Sequence, residues 1–173
     1  EVIRGINAFA AGVNEVNPEA TVEVVWTFTW FGPEAETQAA NALLEKGADV
    51  LAQHQDSTAT GLAAEAAGAK WISYNTAYGQ DSAPEAFVTA PVWDWGPYYV
   101  NIVEQIIDGT FTTESYWGGM ETGLVSLYDL SSDVPSDTAT LIAEKTEAII
   151  DGTLEVEIVE EEFISNVIGT VNP

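Results

Sequence analysis

Apolar residues Val2, Ile6, Phe9, Val13 and Val16 recur every three or four positions and so share one face of a helix that opens the chain. Asn17-Pro18 ends it, because a residue before proline is pushed out of the helical region. Residues 21–27 are β-branched and apolar, which predicts a strand leading into the turn Thr29-Trp30-Phe31-Gly32-Pro33. Pro33 starts a second helix, with Glu34 and Glu36 in a first turn where the macrodipole favours acids, and Gly47 is its αL exit. Residues 49–53 read as a short strand that delivers Gln53-His54-Gln55-Asp56-Ser57-Thr58. Asp56 or Ser57 is then the N-cap of a helix over 60–67 that stops at Gly68. Strands follow over 70–74 and 84–92, with 75–78 as loop. After the second comes Trp93-Asp94-Trp95-Gly96-Pro97-Tyr98-Tyr99, four rings flanking a carboxylate where a strand hands over to a helix at 98–107. A glycine-rich stretch over 116–123 precedes a strand at 124–128 and a helix, capped by Ser136, that runs to Ile150. The last residues, 155–173, mix Glu155, Glu157, Glu160, Glu161 and Glu162 with apolar positions and leave strand, helix and disorder open.

Alternating strands and helices with short connections predict an α/β fold: a Rossmann-like parallel sheet with helices on both faces. Residues 1–130 form the α/β ligand-binding lobe in this reading, and 131–173 a helix and acidic tail. Trp30, His54, Asn75 and Trp93 each stand at the carboxyl end of a strand, the edge where open α/β sheets bind ligands. Trp26 and Trp71 lie inside strands and are expected in the core.

Composition narrows the partners. The 173 residues suffice for one domain with a core, and 46% hydrophobic against 18% charged residues argues against disorder. Twenty-eight acids oppose only Arg4, Lys46, Lys70 and Lys145, for a net charge of −24. Such a chain repels phosphate backbones and anionic membrane surfaces, so no nucleic acid partner is expected, and it suits a salty or extracytoplasmic setting. Without cysteine there is neither disulfide nor thiolate chemistry, and one histidine argues against a histidine-based metal site. The chain opens on Glu1 already in helical register and reads as part of a longer protein.

The residue types of a hydrolase triad occur together at His54-Gln55-Asp56-Ser57. Sequence neighbours cannot assemble that geometry, however, and no G-x-S-x-G elbow exists. Asp94 and Glu121, with His54, remain the acids and base of an alternative reading, an enzyme acting on a nucleoside or glycoside. That chemistry needs carboxylates about 5–9 Å apart across a sugar bond. Gly118-Gly119 lacks the spacing and the lysine of a phosphate-binding loop. The reading these residues favour is a binding pocket, with no cofactor, no metal and no catalytic residue. Trp30, Phe31, Trp93, Trp95, Tyr98 and Trp117 supply flat faces, while Gln53, His54, Asn75 and Asp94 supply hydrogen bonds for an uncharged planar heterocycle or a sugar.

The segments Arg4–Gly12, Trp30-Phe31-Gly32-Pro33, Gly47-Ala48-Asp49-Val50, Gln53-His54-Gln55-Asp56-Ser57 and Trp93 to Tyr99 resemble the basic-membrane-protein family, the solute-binding components of ABC importers related to purine nucleoside receptors. The likeness runs over about residues 1–154. It implies one lobe of a type I periplasmic-binding-protein fold, in which two lobes joined by crossovers close on a solute. It also implies an extracytoplasmic receptor, periplasmic or a cell-surface lipoprotein, that captures a purine nucleobase or nucleoside and hands it to an ABC permease. The membrane is then met only through a lipid anchor on a missing N-terminal part, and residues after 154 stand where a crossover toward that lobe is expected. By position the ligand contacts would be Trp30, Phe31, Gln53, His54, Asp56, Asn75, Trp93, Asp94, Trp95, Trp117, Gly118, Met120 and Glu121. Gln53-His54-Gln55-Asp56 replaces a glycine-rich loop of the nucleoside-binding relatives, and Asn75-Thr76-Ala77 replaces an aspartate-rich turn. Both departures weigh toward a free nucleobase such as adenine.

Overall fold

A computed structural model describes residues 1–169. The helices are α1 (Val2–Val16), α2 (Pro33–Glu45), α3 (Ala59–Ala67), the single turn α4 (Gly79–Ser82), α5 (Gly96–Asp108) and α6 (Ser136–Ile150). The strands are β1 (Val22–Glu23), β2 (Val50–Ala52), β3 (Lys70–Ile72), β4 (Phe87–Thr89), β5 (Pro91–Trp93), β6 (Val125–Leu127) and β7 (Val167–Ile168), with a 3-10 turn at Met120–Thr122. The helices follow their punctuation. Pro33 and Pro97 sit in the first turns of α2 and α5, and Gly68 and Gly109 close α3 and α5 in the left-handed conformation.

The sheet is parallel at its centre, in the order β2-β3-β4, with Leu51 opposite Trp71. A parallel bridge between Asn75 and Val92 carries β5 alongside the continuation of β3. β5 then pairs antiparallel with β6, and β1 pairs parallel with β7. All of these pairings together make a mixed α/β structure whose central strands point their carboxyl ends to one edge.

Trp71 is the centre of the core. Its ring is fully buried, set edge-on against Phe87 at 6.0 Å, with Tyr128 edge-on to Phe87 at 6.3 Å. Gly61 of α3 and Gly79 of α4 face the indole so closely that a methyl group on either would overlap it. Buried alanines, Ala40, Ala63, Ala64, Ala83, Ala86 and Ala90, fill the remaining space and let the helices approach the strands.

Several expectations are corrected. The strand anticipated over 84–92 is two strands, because Pro91 lacks an N–H and the chain changes partner there from β3 to β6. The strand anticipated over 21–27 shortens to Val22–Glu23, since only the two residues of β7 pair with it. Trp26 is half-buried rather than core and stacks on Phe163 of the tail at 6.5 Å with planes 11° apart. Ser136 is the first residue of α6 and Pro135 holds its cap position, with no side-chain cap bond. At α3 the cap position belongs to Thr58. Ser57 accepts the Ala59 N–H from just outside the helix, and Asp56 directs its own N–H to the Trp30 carbonyl.

The tail folds back on α1. The buried Asn7 side chain donates to the carbonyls of Val159 and Glu162 (2.9 and 2.8 Å) and accepts the Ile164 N–H at 3.1 Å. Asn166 donates to the Ala10 carbonyl at 2.8 Å. Part of the tail, residues 170–173, lies outside the described residues.

Candidate functional site

The loop after β2 is shaped by one amide. Gln53 Nε2 donates to the carbonyls of Gln55 and Ser57, both at 2.7 Å, and Gln53 Oε1 accepts the buried Trp71 indole N–H at 3.0 Å. With both amide protons taken, Gln53 holds the loop and offers no free donor. The turn bearing Trp30 and Phe31 is fastened to that loop. The Asp56 N–H reaches the Trp30 carbonyl at 2.8 Å, and Gln55 Nε2 reaches Thr27 Oγ1 at 2.8 Å.

His54 consequently stands between rings. Tyr74, the second residue beyond β3, lies 4.3 Å from it centroid to centroid, and Trp30 lies 6.0 Å away. Gly5 of α1 closes this group, since a Cβ there would stand 3.2 Å from His54 Cε1. Burial lowers the imidazole pKa below its ordinary 6.5, while the Glu1 and Asp56 carboxylates pull it back up. The ring is therefore neutral at neutral pH. Burial also raises the Tyr74 phenol above 10.0, against the opposing hydrogen bond with Asn75.

A second ring group follows β5. Trp93 is edge-on to Trp95 at 5.8 Å, Trp95 is edge-on to Tyr98 at 5.8 Å and stacked with Tyr99 at 6.2 Å, and Tyr98 packs on Tyr116 at 4.4 Å. Asp94 Oδ1 accepts the Gly96 N–H at 2.9 Å and so fixes the start of α5. Asp94 also lines an open cleft of about 180 Å³ with Tyr98, Asn101, Tyr116 and Thr122. Gly118 is what lets Tyr116 and Thr122 converge, because a Cβ there would lie 2.5 Å from the Tyr116 hydroxyl. Glu121 Oε1 accepts the Gly119 N–H at 3.0 Å, and the Met120 carbonyl accepts the Gly123 N–H, so both serve the 3-10 turn. Trp117 stands 78% exposed with the Arg4 guanidinium 5.4 Å from its ring centre, and Arg4 also pairs with Glu160 at 2.9 Å.

Asn75 joins these groups. Its backbone is in the left-handed region (φ 58°), and with Thr76, Ala77, Tyr78, Val92 and Tyr128 it lines a hollow of about 440 Å³. The strand tips thus share one edge, but their rings fall into two groups, around His54 and around Trp95. Trp30 (52%), Phe31 (65%) and Trp93 (48%) keep large apolar faces open to water.

Tyr74 and Tyr116 are absent from the residues picked out in sequence, although each adjoins a segment that was. Arg4 gave no local signal because its partners lie far along the chain, and Glu36 showed only as a first-turn acid of α2, since its bond to Ser57 spans 21 residues. The enzyme alternative finds no support in the geometry. The Ser57 hydroxyl donates to Glu36 at 2.6 Å and not to His54, and Asp94 and Glu121 each hold a backbone N–H.

A parallel central sheet backed by packed helices, with exposed rings in the segments beyond its strands, is the architecture of one lobe of a periplasmic-binding-protein fold. A solved ABC transporter solute-binding protein from Conexibacter woesei superposes on 86% of the chain with a TM-score of 0.70 and 26% identity, using 50% of its own length. Residues 1–160 match the family model of the ABC transporter substrate-binding proteins, PnrA-like, and the chain belongs to this family. A putative ABC transporter glucose-binding protein of Haloferax volcanii is 40% identical over 90% of the chain. A purine-binding protein of Brucella abortus is 41% identical over 87% of it. The chain spans 40% and 42% of the length of these two relatives.

Proposed function

We propose that this lobe captures a purine base for an ABC importer, stacking it on the exposed rings at the strand tips while a second lobe closes over it. The observation that carries the proposal is the row of unburied rings, Trp30, Phe31, Trp93 and Trp117, on or beside an edge where several polar side chains already bond to the protein itself. Gln53, Asp94 and Glu121 bond to the protein's own backbone, so few free groups remain for the many hydroxyls of a sugar. A flat heterocycle needs mainly faces, and aromatic faces hold bases with little regard to edge pattern. The 41% identical relative named as purine-binding supports this choice. Asn75 and the neutral His54 are the groups proposed to read the edge of the base, with Asp56 beside them.

A lobe with half the walls of a site accounts for the apolar stripe of α5 as well. Tyr99, Val100, Val103, Ile106 and Ile107 are all exposed on it, a face of the kind that another protein surface covers. In this reading residues 1–130 carry the lobe and 131–173 the helix and tail, of which the described part, to residue 169, returns against it. The receptor works outside the cytoplasm, as ABC substrate-binding proteins of this family do, and delivers its solute to a permease. It meets the membrane through a lipid anchor carried outside these residues.

Calorimetric titration of the protein with both lobes present, using adenine, adenosine and glucose, tests the proposal. Tight binding of adenine or adenosine, with glucose inert, is the expected result. Binding of glucose alone would transfer the assignment to the function named for the Haloferax relative.

A further inference from the structure

We infer that Glu36 is a positioning residue of the site, its carboxylate clamping the Trp30–Phe31 turn to the His54 loop. Its effect on ligand binding rests on the strand tips being the place where solute is held. Glu36 belongs to α2 and is 1% exposed. Its Oε1 accepts the Gly32 N–H at 2.9 Å, directly after Phe31, and its Oε2 accepts the Ser57 hydroxyl at 2.6 Å, three residues after His54. Ser57 in turn accepts the Ala59 N–H at 3.2 Å, so the clamp reaches the first turn of α3.

Gly32 is the N-cap of α2, so the Oε1 bond also closes the start of that helix, while the Oε2 bond to Ser57 reaches outside it. Glu34, exposed in the same first turn, already faces the macrodipole. A carboxylate brought out of water is costly unless donors meet it, and here the donors come from two different loops. Each loop carries rings: Trp30 and Phe31 on one, His54 on the other. The two loops are also tied by the Asp56 N–H to the Trp30 carbonyl and by Gln55 to Thr27, and Glu36 adds a tie through a fully buried carboxylate. Without the clamp, the separation of Trp30 and His54 is held by fewer ties.

The test uses E36A, with E36Q as the volume-preserving variant in case E36A does not fold, and A10G as a control that loosens buried α1 packing elsewhere. Glutamine keeps an acceptor for Gly32 but turns amide protons toward the Ser57 hydroxyl. His54 is the sole histidine, so its imidazole gives a single set of NMR signals. Both Glu36 variants should move those signals and bind adenine at least about tenfold more weakly than A10G at a temperature where all are folded, the loss of roughly one buried hydrogen bond read as affinity. Unmoved His54 signals with affinity equal to that of A10G would overturn the inference. If the native protein binds neither adenine nor adenosine, the proposed function fails by itself. The His54 signals then decide the clamp alone: displaced in the Glu36 variants and not in A10G, they support it; undisplaced, they refute it.

Discussion

Trp93→Ala and Trp30→Ala remove rings that project into water and make little of the core, so their cost falls on binding. Loss of one stacking face should weaken purine affinity by on the order of 1–3 kcal/mol while the melting temperature changes little. Equal damage to both quantities would place these rings in the packing. Gly61→Ala is the opposite case. Its methyl would enter the Trp71 indole, and overpacking of this kind costs about 1–3 kcal/mol, seen as a lower denaturation midpoint. His54 predicts a pH effect of definite sign. Its folded pKa lies below 6.5, so the unfolded chain takes up a proton first. The stabilisation is complete above 6.5 and is lost as pH falls from there through the lowered folded value. The difference in melting temperature between the native protein and His54→Gln should therefore be larger at about pH 7.5 than at about pH 5.5; a pH-independent difference would remove the buried neutral imidazole from the account. Trp71 was legible as core because it sits inside a short apolar strand. Gln53 was not legible as a scaffold, because its role depends on an indole eighteen residues away. Asp94 and Glu121 were read as free carboxylates, since local turn bonds to Gly96 and Gly119 leave no mark in spacing.

Helices were the most readable elements. Pro33, Gly68, Pro97 and Gly109 mark their ends chemically, and such signals are local. Strands were less so, because their length is set by a partner elsewhere in the chain: β1 stops where β7 stops, and Pro91 divides what looked like one strand. The tail was the least readable, since nothing within 155–169 announces that Asn7 will hold it. Asn7→Ala should release it. Each buried carbonyl or N–H left without a partner costs about 1–3 kcal/mol, and hydrogen exchange should accelerate around Ile164 and through β7. Unchanged exchange there would mean that the β1–β7 ladder and the Trp26–Phe163 stack hold the tail by themselves.

The whole molecule carries a net charge of −24. Its lysines are all engaged, Lys46 with Glu23, Lys70 with Asp133 and Lys145 with Glu15, which leaves most of the acids to repel one another. Salt screens that repulsion within about 10 Å at 0.1 M, so the melting temperature should climb as salt is added, although the surface pairs weaken slightly. A steady fall would show the pairs outweighing the repulsion. Charge also bears on the solute, because so acidic a chain gives an anionic, phosphorylated ligand little to bind, whereas a neutral base is unaffected. The claim on which the rest depends is that a neutral flat solute lies against the rings at the strand tips. Calorimetric titration of the native protein and of Trp30→Ala with adenine tests it most directly. The account predicts one site per chain in the native protein and at least about fivefold weaker binding in the variant, the lower bound of a lost stacking face; undiminished adenine affinity without the Trp30 ring would contradict it.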